Sequence, residues 1–153
     1  QIEAGAQAIQ IFDTWGGLLA PHDYERYILP YVKELINGLN RDGIPVIYFV
    51  KNGGTMLPLV KEAGADVLGL DWHVNLGKAR DILGDDVAVQ GNLDPTVLYA
   101  PKDHIEREVQ RILDENAGRP GFIFNLGHGI LPTVPPENAI HMVECVHRLS
   151  GKR

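Results

Sequence analysis

The stretch Gly121-Phe122-Ile123-Phe124-Asn125-Leu126-Gly127-His128-Gly129 is a short apolar run that ends in a histidine flanked by two glycines. A run this short and apolar, bounded by glycine, reads as a strand buried on both faces, as parallel strands are. Four more runs share its form: Ala8-Ile9-Gln10-Ile11-Phe12, Pro45-Val46-Ile47-Tyr48-Phe49-Val50, Val67-Leu68-Gly69-Leu70 and Val87-Ala88-Val89-Gln90-Gly91. Between several of them lie helix-length amphipathic stretches, so the pattern is that of repeated βα units and a parallel sheet.

The longest stretches carry their own boundaries. After the first strand, Tyr27, Ile28, Tyr31, Val32, Leu35, Ile36 and Leu39 are spaced to form one buried helical face, with Gly43 closing the pattern. Pro30 removes a backbone donor and disfavours helix at Leu29, which predicts a short helix, a break, and a longer helix from near Pro30. A short helix after the second strand is expected to stop at Gly64. Asp103 and Glu106 form a capping box for a helix that buries Ile105, Val109, Ile112 and Leu113. The last helix starts near Pro136 and turns Ala139, Met142, Val143, Val146 and Leu149 inward.

Polar residues follow each strand: Asp13-Thr14, Lys51-Asn52, Asp71-Trp72-His73, Asn92-Asp94 and Asn125-His128. A (β/α)8 barrel gathers its chemistry on that rim, so the expected fold is α/β, a TIM barrel. A closed barrel needs eight strands, and this chain supplies about five βα units. The chain also begins at Gln1 rather than Met, inside what reads as the end of a helix. The expectation is a fragment: residues 1–153 as the carboxy-terminal portion of a single barrel domain, with the other strands upstream.

Composition sets the bounds on function. With 153 residues and 44% hydrophobic content the chain holds one ordinary domain. A net charge of -6 disfavours a general nucleic-acid binder, which needs a basic face. No run of about eighteen apolar residues is present, and Gln1-Ile2-Glu3-Ala4-Gly5-Ala6 lacks signal-peptide form, so neither membrane insertion nor secretion is expected. The single Cys145 has no internal disulfide partner and falls on the inward stripe of the last helix, consistent with a buried thiol in a reducing cytoplasm.

Among rim residues, His128 stands out, because a glycine-flanked histidine at a strand end projects over the barrel mouth as donor, acceptor or proton carrier. A tight turn with a self-bonded histidine is the alternative. Thr14 offers a hydroxyl to a ligand carboxylate, while Asp13 reads equally as a turn residue and Trp15 as packing over the barrel edge. Asp71 suits support of the rim and Asp94 a helix cap. Lys51-Asn52-Gly53-Gly54 lacks the spacing of a nucleotide-binding loop and reads as a turn lining the mouth. His73, His104, His128, His141 and His147 show no metal-ligand spacing, so no metal is expected.

Four segments in order, Phe12-Asp13-Thr14-Trp15-Gly16-Gly17, Leu68-Gly69-Leu70-Asp71-Trp72, Gln90-Gly91-Asn92-Leu93-Asp94-Pro95 and Asn125-Leu126-Gly127-His128-Gly129-Ile130, resemble the uroporphyrinogen decarboxylase family. The resemblance spans essentially the whole chain and matches the carboxy-terminal part of that family. It implies a cofactor-free carboxy-lyase that removes the acetate carboxyls of uroporphyrinogen to give coproporphyrinogen in heme biosynthesis. The implied mechanism protonates a pyrrole carbon and stabilises the resulting positive charge electrostatically. Thr14 and His128 match substrate-contacting positions of the family, and Phe12 matches the cleft wall. The catalytic aspartate, the arginines and the tyrosine of the family fall outside this chain, so the chain alone is expected to be inactive. The family also implies a cytoplasmic homodimer.

Two rivals remain. A zinc-dependent or corrinoid methyltransferase of the same barrel superfamily would need histidine and cysteine ligands on the rim, where the second strand instead leads into Lys51-Asn52-Gly53. A non-catalytic binding barrel is the other, since fold alone does not prove activity.

Overall fold

Parallel neighbours must be joined by crossovers, and crossovers in one sheet are right-handed. In the computed structural model, which describes residues 1–151, the strands β1 (Ile9–Asp13), β2 (Val46–Val50), β3 (Val67–Gly69), β4 (Ala88–Leu93) and β5 (Phe122–Leu126) are all parallel. They lie in the 5-stranded sheet in the order of the chain. A doubly wound sheet reverses its order at a switch point; this one never does. Right-handed crossovers in unbroken order put every helix on the same face, which is the wall of an incomplete (β/α)8 barrel. β1 and β5 each pair on one side, so both outer edges of the sheet are unpaired among the described residues.

The helices are α1 (Pro21–Tyr27), α2 (Leu29–Gly38), α3 (Leu57–Glu62), α4 (Leu76–Leu83), α5 (Lys102–Asn116) and α6 (Pro136–Ser150). Successive strand side chains alternate between two faces. Val46, Tyr48, Val50, Leu68, Val89 and Leu93 face the helices and are buried with Leu29, Ile36, Leu57, Leu76 and Ile112. Each such aliphatic side chain contributes about 1.5–3 kcal/mol on burial. Gln10, Phe12, Phe49, Gln90 and Asn125 face the other way, into the barrel interior.

Several expectations hold: a short helix, a break and a longer helix follow β1, the break falling at Ile28, two residues before Pro30; Asp94 caps the 3-10 turn Pro95–Tyr99 by accepting from Thr96 N at 2.8 Å; and Cys145 is buried. Others are corrected. The interior face is open rather than buried, with Phe12 68% and Ile123 44% exposed, because residues 1–151 wall only part of a barrel. The face assigned to α1 and α2 is half right: Ile28, Val32, Ile36 and Leu39 pack inward, but Tyr27, Tyr31 and Leu35 are exposed. The buried row steps by four residues through both helices, Tyr24, Ile28, Val32 and Ile36, and Tyr27, Tyr31 and Leu35 lie on the adjacent row that faces outward. Helix α2 ends at Gly38, short of Gly43, which sits at φ +83 in the following loop. Val143 is exposed, its stripe on α6 being taken by Met142, Cys145 and Val146. The capping box does not form: Asp103 pairs with Arg107 at 2.6 Å and Glu106 with Arg148 at 3.0 Å, leaving the start of α5 without a side-chain cap. Trp15 packs on nothing that buries it and is 72% exposed.

The floor of the wall, at the amino ends of the strands, is tied by charge. Arg80, 0% exposed, donates to Pro120 O at 2.6 Å, to Val87 O at 3.4 Å and to Asp85 at 3.1 Å, joining α4 to the segments that enter β4 and β5. Arg119 bonds Asp81, Asp85 and Arg80 O around it. Burial, and then the neighbouring Arg119, pull the Arg80 guanidinium below its ordinary range, while Asp85 acts against them.

Candidate active site

The carboxy ends of the strands enclose a cavity of about 550 Å³ whose lining includes Gln10, Phe12, Thr14, Phe49, Gln90, Asn125, His128, Ile130 and Met142. Thr14 enters it from the turn after β1. That turn is built by Asp13, whose Oδ1 accepts from Gly16 N at 2.6 Å and Trp15 N at 3.3 Å, so Asp13 is a turn residue. Gly16 is required there, since a Cβ would lie 2.4 Å from Asp13 Oδ2. Beneath the turn, Tyr48 Oη donates to Asp13 Oδ2 at 3.2 Å. With that hydrogen committed to the carboxylate, Tyr24 Oη, 2.8 Å away, is the donor to Tyr48. Burial raises both phenols above the ordinary tyrosine range, Tyr48 the further, so they serve as neutral hydrogen-bond donors.

His128 enters from the loop after β5. Gly127 lets that loop approach the ends of β4 and β3: its N donates to Leu93 O at 2.7 Å, and an added Cβ would lie 2.7 Å from Trp72 N. The His128 imidazole then stands edge-on to Phe49, with ring centroids 5.9 Å apart, and to Trp72 at 6.4 Å. Asp71, 2% exposed, accepts from Asn52 N and from His73 N at 2.8 Å, with His73 Nδ1 at 3.2 Å. Asn92 Nδ2 donates to Asp71 O and Val74 O at 3.0 and 2.7 Å, which locks the same loop from β4. Asp71 therefore supports the rim, as its position suggested.

Thr14, Phe12 and His128 are thus brought to one cavity. Among the described residues neither the Thr14 hydroxyl nor the His128 ring has a hydrogen-bond partner, so both are available to a ligand. The sequence reading missed Gln10 and Gln90, whose amides meet at 3.4 Å on the interior face. Their signal was a polar residue inside an apolar strand at the inward step of the alternation. The lining carries no lysine or arginine among the described residues; its polar groups are carboxamides, one hydroxyl and one imidazole. It suits hydrogen bonding to a ligand, with any strong anion affinity supplied by other residues.

The family model for uroporphyrinogen decarboxylase (URO-D) matches residues 1–149. The chain belongs to the uroporphyrinogen decarboxylase family. It is 79% identical over 152 residues to the uroporphyrinogen decarboxylase of Geobacter sulfurreducens, covering 99% of this chain and 45% of the relative. Identity is 75% to that of Trichlorobacter lovleyi and 71% to that of Pelobacter propionicus, over 99% and 98% of this chain and 45% and 44% of the relatives. The chain therefore spans under half the length of the curated relatives it matches. A solved methyltransferase from Methanosarcina mazei superposes with a TM-score of 0.85 at 22% identity, over 97% of this chain and 44% of its own, a likeness of fold.

Proposed function

We propose that this chain is the carboxy-terminal portion of a cofactor-free decarboxylase that removes the acetate carboxyls of uroporphyrinogen to give coproporphyrinogen in heme biosynthesis. The observation that carries the proposal is the convergence of Thr14, His128 and Phe12 on one cavity in a chain 79% identical to a named uroporphyrinogen decarboxylase. In this reading the Thr14 hydroxyl and the His128 imidazole hydrogen-bond the substrate and orient it. The aromatic edges of Phe12 and Phe49 pack against the macrocycle and exclude water. Their ring centroids lie 6.1 Å apart.

Decarboxylation of a pyrrole acetate needs a carbon protonated and a positive charge stabilised, and preorganised carboxylate is the group that does the latter. Among the described residues no carboxylate lines the cavity. The driving acid and the cations that hold the other carboxylates are assigned to residues outside 1–153, and the chain alone is inactive. The reading needs no metal or organic cofactor, and no nucleic acid or membrane partner. It places the enzyme in the cytoplasm as a homodimer. The charge of -6 supports a small-molecule substrate over nucleic acid. No described helix is long and apolar enough to cross a membrane.

The test is to incubate uroporphyrinogen with the complete protein and, separately, with residues 1–153. The expected result is coproporphyrinogen from the first and none from the second. Product from the segment alone, or none from the complete protein, overturns the proposal.

A further inference from the structure

Outside the rim, one group of side chains among the described residues has the composition of a metal site. Glu106 on α5 and His141 and Cys145 on α6 place a carboxylate oxygen, a ring nitrogen and a sulfur within 4.8 Å of one another. His141 and Cys145 are four residues apart on one helix and so share a face. Their Sγ and Nε2 atoms lie 3.4 Å apart. Tetrahedral zinc, with bonds of about 2.3 Å to sulfur and about 2.0–2.1 Å to nitrogen, holds those two atoms about 3.6 Å apart. The pair is therefore already spaced for one ion. Glu106, half-buried on the facing helix, closes the third position by a rotation of its side chain.

A second observation is that a cationic group already sits against this cluster. The Arg148 guanidinium bridges two of the three ligands, with NH2 3.0 Å from Glu106 Oε2 and 3.5 Å from Cys145 Sγ. Its side chain is 49% exposed and can turn out to solvent. The Lys102 carbonyl oxygen lies 3.2 Å from His141 Nε2 and can only accept, so that nitrogen carries the proton when the site holds no metal.

We propose that Glu106, His141 and Cys145 bind a soft divalent cation of the zinc class between α5 and α6, with Arg148 as the competing cation. On binding, Cys145 releases its thiol proton to solvent and ligates as thiolate. His141 ligates through Nε2, its proton moving to Nδ1. Arg148 swings outward, and water fills the fourth position. The site is separate from the rim cavity and does not depend on the decarboxylase reading.

Cobalt(II) reports it directly, because a cobalt–thiolate bond gives an ultraviolet charge-transfer band. The purified protein, stripped by chelator and titrated with cobalt, is expected to show that band saturating at one equivalent and bleached by zinc. Cys145→Ser and His141→Gln each remove it, with circular dichroism checking the fold; either variant suffices if the other fails to fold. Arg148→Gln is expected to tighten cobalt binding about two- to fivefold, the scale of a lost surface ion pair. No band in the wild type or Arg148→Gln, a band that survives in Cys145→Ser, or weaker binding by Arg148→Gln overturns the proposal.

Discussion

The rim and the floor of this wall use polar side chains in opposite ways. On the floor, charge meets charge or backbone carbonyl: Arg80 and Arg119 hold Asp81, Asp85 and Pro120 O, and Lys61 holds Leu83 O and Asp86 at 2.7 Å each. Little there is left for a ligand. On the rim, the acids turn inward and accept from backbone amides, as Asp13 does from Gly16 and Asp71 from His73. Their work is to fix loops, and the side chains those loops present, Thr14 and His128, are left unbonded over the cavity. A floor group should therefore matter for stability, a rim support for both stability and binding, and a cavity group for binding alone.

The comparison can be broken at each level. Arg80→Ala strips the buried donor from two backbone carbonyls and is expected to cost about 3–4 kcal/mol in chemical denaturation. Any effect on substrate KM should be slight while the protein stays folded. Gly127→Ala puts a Cβ against Trp72 N at 2.7 Å, a backbone atom that cannot move alone. A loss of about 1–3 kcal/mol is expected, together with a raised KM because His128 is displaced. Tyr48→Phe removes the donor to Asp13 and the acceptor of Tyr24, costing about 1–2 kcal/mol and loosening the turn that carries Thr14. A Tyr48→Phe protein of unchanged stability and KM would refute the role given to that pair.

The same tyrosines set a pH dependence. Their folded pKa values are raised by burial, so their contribution is complete below the unfolded value of about 10 and is lost as pH rises through the folded values. Urea midpoints should accordingly hold steady up to about pH 9, fall as pH rises beyond about 10, and fall less in Tyr48→Phe.

Much of this was legible in the sequence, and the exceptions have physical causes. The five strands stand out because apolar runs ended by polar residues have few other readings; Thr14 and His128 stand out because they follow strands, and Phe12, inside β1, only through the family resemblance. Helix α4 was not recognised, although Asn75, whose Oδ1 accepts from Lys78 N at 2.9 Å, caps it and Gly84 at φ +76 ends it. Its stripe of Leu76, Ala79, Arg80 and Leu83 includes an arginine, and a buried arginine reads as surface until its carbonyl partners, 7 and 40 residues away, are placed. The Asp103 and Glu106 box failed for a related reason: Arg107 and Arg148 compete for the same carboxylates.

His128→Ala tests the central claim most directly, because the residue is proposed to bond the substrate, is exposed, and otherwise meets only the ring edges of Phe49 and Trp72. In the complete protein, the unfolding midpoint should move by no more than about 0.5 kcal/mol, while the KM for uroporphyrinogen rises about tenfold, the worth of one lost hydrogen bond to a charged group. An unchanged KM in a folded His128→Ala protein would contradict the account.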